Sequence, residues 1–294
     1  AWRGFASSIV ASGGRLGGAL APTLSNLVII TAGNWRAPLW LYGILGLLTA
    51  ALFWFVFRQS PAEHPRCNDA ERELIAEGRP TQEASKTASH RLPWGPLLAN
   101  FSMWMNCVFQ LLTNIGWAFL VTWLPTYLKE SRQLDLGQSA ILGGLPLLMG
   151  GLGSLFCGFI SPRLTRLTGS VGATRRLMAY VGYTGAAAML VVSLHLTNPL
   201  HAMLAMGVAS FANDLVMPGA WGACMDMGGK YAATLSGAMA GFGNAGGAVS
   251  PMIIGFLLHW TNNDWNLCIY ISAALYFAGA FFWAFLDPVT PLGD

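Results

Sequence analysis

Charge is scarce in this chain. Asp, Glu, Lys and Arg make up 10% of the 294 residues, against 54% hydrophobic residues, and mean hydropathy is positive. A soluble domain carries about 25% charged residues, so the composition excludes one. Cysteine is sparse and dispersed: Cys67, Cys107, Cys157, Cys224 and Cys268 form no CxxC spacing. That argues against a disulfide framework or a cysteine metal centre and leaves small packing residues. The chain also lacks HExxH, GxSxG, a phosphate-cradling GxxxxGK and a dinucleotide fingerprint. A nucleotide-driven pump and an intramembrane hydrolase are disfavoured, and no enzymatic activity, metal or cofactor is expected. His259 and Asp264 match the HxxxxD spacing of some acyltransferases, but they fall in the interfacial turn WTNND without a supporting motif and are read as chance.

What is abundant is long apolar sequence. Eight spans are expected, at about 5–30, 38–57, 97–128, 136–160, 177–195, 200–225, 231–259 and 268–286, each long enough to cross a bilayer as a helix. A turn at Asn34–Trp35 separates the first two. Between the second and third lies the polar, proline-punctuated stretch RQSPAEHPRCNDAERELIAEGRPTQEASKTASHR, which must lie in water. Within it, 69–77 is patterned as a short amphipathic helix capped by Asn68 or Asp69. A cytoplasmic stretch puts Arg3, its own basic residues, Arg163, Arg166, Arg175, Arg176 and Lys230 on one side. Only Arg36, Lys129 and Arg132 fall on the other, and the positive-inside rule selects that orientation. The basic loops therefore read as topology signals, with no nucleic-acid partner expected. Trp35, Trp123, Tyr127, Trp260 and Trp265 stand near span ends, where amphipathic rings favour the interface.

The span from Tyr231 to Gly255 organises the rest. Gly237/Gly241 and Gly243/Gly247 are four apart, a spacing that admits a neighbouring helix at short range. The first span carries a second copy. GGRLGGALAP (13–22) lies over FGNAGGAVSP (242–251) at an offset of 229, and Phe53-Trp54 lies over Phe282-Trp283 at the same offset. Two gapless matches at one offset indicate duplication. Six spans follow the polar stretch but only two precede it, so about four N-terminal spans of a twelve-span protein are expected to be missing. The absence of a signal peptide at Ala1 fits such a truncation.

Two halves joined by a hydrophilic linker, with matching glycine-rich helices, resemble the major facilitator superfamily. The run SPAEHPR, WLPTYL (123–128), LGGLP (142–146) and SGAMAGFGNAGGAVSP (236–251) resemble its anion:cation symporter branch. The resemblance implies an all-α membrane protein with a partial fold of about eight transmembrane helices, equivalent to helices 5–12 of twelve. Residues 1–58 would be the last two helices of the N-terminal bundle, 59–96 a cytoplasmic linker, 97–287 a six-helix C-terminal bundle and 288–294 a cytoplasmic tail. A monomer in the bilayer of a cell or inner membrane is expected. The family's gate loop usually reads G-x-x-x-D-R; here Gly158-Phe-Ile-Ser-Pro-Arg163 puts Pro162 near the expected acid. Arg163 and Arg166 remain as gate-loop candidates in a weakened copy.

Six residues stand out as site candidates. Arg15 lies mid-span, where a charge costs at least ~3 kcal/mol unless it meets a cavity or a partner. Its planar fork suits a carboxylate substrate; the alternatives are an ion pair with a carboxylate on an absent helix, or snorkelling. Asn244 is its mate in the repeat (15 + 229 = 244) and is expected to face the same cavity, or else to bond a packed helix. Gln110 and Asn114 share a face, with Trp117 a turn further on. They could bind hydroxyls while Trp117 stacks on a sugar-like ring, or act as polar glue. Asp214 is an intramembrane acid and so a weaker candidate for proton coupling, because the resemblance places the coupling acids on helices one and four. Asp226 and Lys230, four apart, read as a loop ion pair or gate element rather than as ligands.

The expected function is secondary active transport of a small organic anion, a sugar acid or carboxylate, with protons, by alternating access. The alternatives are a carrier of neutral sugars or expelled drugs on the same fold, and a membrane receptor or scaffold that does not transport.

Overall fold

The computed structural model describes residues 2–58, 63, 67–77 and 94–290, and these residues are helical almost throughout. Of the expected linker, 59–62, 64–66 and 78–93 lie outside the described residues, as do 291–294 of the expected tail. The helices are α1 (Trp2–Ala32), α2 (Ala37–Val56), α3 (Asp69–Glu77), α4 (Trp94–Ala99), α5 (Phe101–Ala118), α6 (Leu124–Glu130), α7 (Leu136–Thr168), α8 (Val171–His195), α9 (Pro199–Asp214), α10 (Met217–Gly228), α11 (Ala232–Trp260) and α12 (Trp265–Phe285). Side-chain caps set several of the starts. Asn100 accepts from Met103 N, Asp135 from Gln138 N, Ser170 from Ala173 N and Asp264 from Asn266 N, each relieving an orphan donor of the first turn. Asp264 thus has a structural job unrelated to His259. Asn68 and Glu71 form a reciprocal capping box at the start of α3. α7 stops at Gly169, whose φ of 67° suits a residue without Cβ.

All eight expected spans fall on helices. Seven helical segments among the described residues are long and apolar enough to cross a membrane. α1 has the length, but Arg15, Asn26 and its glycines dilute its apolarity. Two spans expected to be continuous are interrupted. Between α5 and α6, Phe119–Trp123 forms a π turn in which Leu124 N donates to Phe119 O. Pro125 has no N–H for the regular ladder there, and the wider turn accommodates it. Between α9 and α10 the helix breaks at Leu215–Val216, where Leu215 N is shared between Phe211 O at 3.2 Å and Ala212 O at 3.3 Å. Pro218, four residues on, denies the Asp214 carbonyl its helical donor.

The chain divides into two compact units, Ala1–Asn26 with Trp94–Asp294, and Leu27–Pro93. In the smaller unit, Asn34 Oδ1 accepts from Arg36 N at the turn into α2. α2 is apolar on every side and largely exposed, a composition suited to a membrane span. In the larger unit the principal contacts join α7 with α9, α9 with α8, α8 with α12, α12 with α5, and α5 with α11. Lipid offers little hydrophobic drive between helices, so close approach of small residues takes its place. Gly153 abuts the Phe211 backbone, Gly182 the Ala212 carbonyl and Gly246 the Leu111 carbonyl. Ser250 Oγ donates to Ile115 O across the α5–α11 contact. The packed stripe of α11 is therefore Gly243, Gly246 and Ser250. Gly237, Gly241 and Gly247, expected at close contacts, meet open space, because they lie round the helix from that stripe. Phe109, Tyr183, Tyr276 and Trp283 fill the centre of the bundle.

Candidate functional site

α1 carries Arg15 against a notch in α7. Ser12 Oγ donates to Gly151 O at 3.0 Å, and the Arg15 Cβ lies 3.2 Å from where a Cβ on Gly151 would sit. One helical turn further on, Gly144 meets the Ala19 carbonyl in the same way. This seam of small residues brings a long side chain level with the break in α9.

There Arg15 meets Asp214. Nε donates to Oδ2 at 2.6 Å and Nη2 to Oδ1 at 2.7 Å, a side-on bidentate pair of the strong, charge-assisted type. The Asp214 side chain is fully buried, and that of Arg15 is 21% exposed. Asn213 Nδ2 adds a third bond to Oδ1 at 2.8 Å. Gly150 gives the pair its room: a methyl there would fall 2.8 Å from Asp214 Oδ2. The guanidinium carbon stands 3.7 Å from the centre of the Trp117 ring, a cation–π contact worth ~0.5–2 kcal/mol depending on desolvation. Neither charge is isolated in the membrane, which answers the energetic problem each one posed alone.

One edge of Arg15 is occupied. Its Nη1 makes no hydrogen bond among the described residues, and the residue lines a cavity of about 740 Å³. Trp117, Leu147, Ser154, Met217 and Trp221 form much of the remaining wall. A largely apolar wall with few polar groups, in this size range, suits a small organic molecule. Ser154 is 1% exposed and its Oγ has no hydrogen-bond partner. Nothing in the sequence marked Ser154, since a serine among glycines reads as packing.

The other candidates lie elsewhere. Gln110 is buried just behind the cavity wall, its Nε2 4.0 Å from the Met217 sulfur. Asn114 Nδ2 returns to the Gln110 carbonyl at 2.9 Å. Both side chains pack against Gly243 of α11, and neither lines the cavity. Asn244 is exposed and absent from the cavity wall: it lies one residue, about 100° round the helix, from the stripe that packs on α5. Asn244 stands apart from the cavity that Arg15 lines, and Asp214 is the residue beside Arg15. Arg163 and Arg166 are exposed at the end of α7, without an ion pair among the described residues. Arg175 is engaged instead. It donates to Asp226 Oδ2 at 2.6 Å and to the Pro288 carbonyl at 2.7 Å, so Asp226 pairs across helices; the Lys230 side chain lies outside the described residues.

The sequence profile of the Major Facilitator Superfamily matches residues 2–251. The chain belongs to this superfamily. It is an integral, multi-pass membrane protein. It is similar to a probable sulfoacetate transporter of Cupriavidus necator, 34% identical over 98% of this chain and 65% of the relative. A probable anion transporter 1, chloroplastic, of Oryza sativa subsp. japonica is 27% identical over 94% of this chain and 51% of its own length. Human sialin is 26% identical over 94% and 55%. The chain thus spans between about half and two thirds of these relatives' lengths.

Proposed function

We propose that the protein is a secondary active transporter of a small organic anion, a carboxylate, sulfonate or sugar acid, with protons as the co-transported ion. One observation carries this reading: the guanidinium of Arg15, stacked on Trp117, keeps a donor edge toward an otherwise largely apolar cavity. A planar fork with two N–H groups side by side is matched to a carboxylate or sulfonate, and the neighbouring indoles accommodate a short organic body. The names of two relatives, one for sulfoacetate and one for anions generally, support the same class. The break in α9–α10 beside the pair fits the discontinuous helices on which transporters build midplane sites. The cavity would open alternately to each side as the two bundles of the whole protein rock against each other.

Counterflow in proteoliposomes of the full-length protein tests this. Unlabelled sulfoacetate or gluconate is expected to drive labelled anion exchange, and Arg15→Gln to weaken it at least tenfold with folding preserved. Competition by neutral sugars and not by these anions would overturn the assignment.

A further inference from the structure

The Arg15–Asp214 pair is electrically complete with no ligand present. Its neighbours add no charge. α8 contributes Tyr183 and α12 Tyr276, two buried and uncharged phenols stacked on each other. α5 contributes Trp117, α7 contributes Gly150, and α9 itself Asn213 and Ser210. No charged group besides Arg15 acts on Asp214 among the described residues. An anionic group arriving at the free edge of Arg15 therefore leaves one negative charge in excess, in surroundings that solvate it poorly. A guanidinium does not give up its proton in a protein. Neutrality returns only if the carboxylate of Asp214 accepts one.

The side chains around Asp214 are arranged for that event. Ser210 lies one turn before it on α9. The Ser210 Oγ and Asp214 Oδ2 both fall beside the position of a Gly150 methyl, at 2.6 and 2.8 Å. The Ser210 Oγ and the Tyr276 OH are buried and have no hydrogen-bond partner. Orphaned hydroxyls in a packed core call for a reason, and a second state of Asp214 provides one. A carboxylic acid needs an acceptor for its new O–H, and an oxygen released by Arg15 needs a donor. A hydroxyl supplies either. Asn213 Nδ2 already holds Oδ1 at 2.8 Å.

Resting on the reading of Arg15 as the anion anchor, we infer that Asp214 takes up the co-transported proton, one for each anionic group that Arg15 captures. The balance is closed. The anion and a proton leave water; the anion's oxygens bond the guanidinium; the two Arg15–Asp214 bonds break; the proton forms an O–H on the Asp214 carboxyl. With a monoanion such as gluconate the site is neutral before and after; sulfoacetate carries a second anionic group that this pair does not balance. Coupling then lies between α1 and α9, within the residues described here.

The experiment is binding-linked proton uptake by the full-length protein in detergent. Sulfoacetate and gluconate are titrated calorimetrically in two buffers of different ionisation enthalpy. The wild type is expected to take up close to one proton per anion near neutral pH, with affinity falling up to tenfold per pH unit on the alkaline side. Asp214→Asn is expected to take up none and to lose that slope, and Asp214→Glu to restore both. Anion binding by the wild type without proton uptake overturns the inference, as does full uptake by Asp214→Asn, while the reading of Arg15 survives either result. Binding that is unaffected by Arg15→Gln overturns that reading and this inference with it.

Discussion

Two arginine–aspartate contacts in this protein have the same length, 2.6 Å, and opposite surroundings. Arg15–Asp214 joins α1 to α9 with its carboxylate at 0% exposure, whereas Arg175–Asp226 joins α8 to α10 with its carboxylate 48% exposed. Coulomb's law at equal distance ranks them together, so solvent separates them. The exposed pair can trade its partner for water at little cost and acts as a tether. The buried pair cannot be left half-made, so each of its members can leave only if a replacement arrives. That constraint makes the inner pair suitable for exchanging a substrate anion against a proton.

The largest effect expected comes from breaking the inner pair on one side. Arg15→Leu leaves the Asp214 carboxylate buried and uncompensated, and should cost ~3–5 kcal/mol in detergent unfolding of the full-length protein. The double variant Arg15→Leu/Asp214→Leu should recover most of that loss while remaining unable to bind anions. A double-mutant cycle measures the coupling directly, and additive single losses would show that the pair is not a unit.

Crowding the pair should act less severely. Gly150→Ala places a methyl 2.6 Å from Ser210 Oγ and 2.8 Å from Asp214 Oδ2, an overpacking expected to cost ~1–3 kcal/mol. Gly237→Ala is its control, since a methyl there meets nothing within 4 Å and helix propensity favours alanine by up to ~1 kcal/mol. Equal melting shifts for the two variants would remove the case that Gly150 exists to seat the ion pair. The outer pair should matter least: Arg175→Gln is expected to change stability by ~0–1 kcal/mol, with the difference shrinking as salt is raised.

The helices were largely legible because apolar runs, caps and glycines report on residues three or four apart. The capping box of Asn68 and Glu71 and the αL stop at Gly169 belong to that local grammar. Arg15 and Asp214 could each be singled out as charges that lipid does not tolerate. Their pairing could not, because 199 residues separate them and no local spacing reports it. Two lone opposite charges in otherwise uncharged spans are each other's natural partner, and that is the one sequence signal for the pair. The break after Asp214 was hidden for a different reason. Pro218 looks like an ordinary proline in the first turn of a helix, and only the lost donor at the Asp214 carbonyl makes it a discontinuity. A repeat match cannot tell which face of α11 turns inward: it aligns residues, while packing of Gly243, Gly246 and Ser250 sets the face, and Asn244 lies about 100° of helix rotation from that stripe.

The smallest effect belongs to the exposed end of the bundle, where pH should act on one carboxylate. Past the end of α12, Arg176 holds the Leu286 carbonyl at 2.9 Å and Arg175 the Pro288 carbonyl at 2.7 Å. Between them the Asp287 carboxylate accepts from the Thr290 hydroxyl at 2.6 Å and from the Val289 amide at 3.1 Å. Those donors, the hydroxyl first, hold its pKa below the usual carboxylate value. A depressed folded pKa gives stability that is present above the unfolded value, about 3.9, and is lost as the pH falls through the folded one. Protection of the Val289 and Thr290 amides in hydrogen exchange should therefore persist through neutral and mildly acidic pH. It should fade only below about pH 4, and Asp287→Ala should lack it at every pH. Protection in the wild type that vanishes near pH 6 instead would point to a histidine or another group as the holder of this turn.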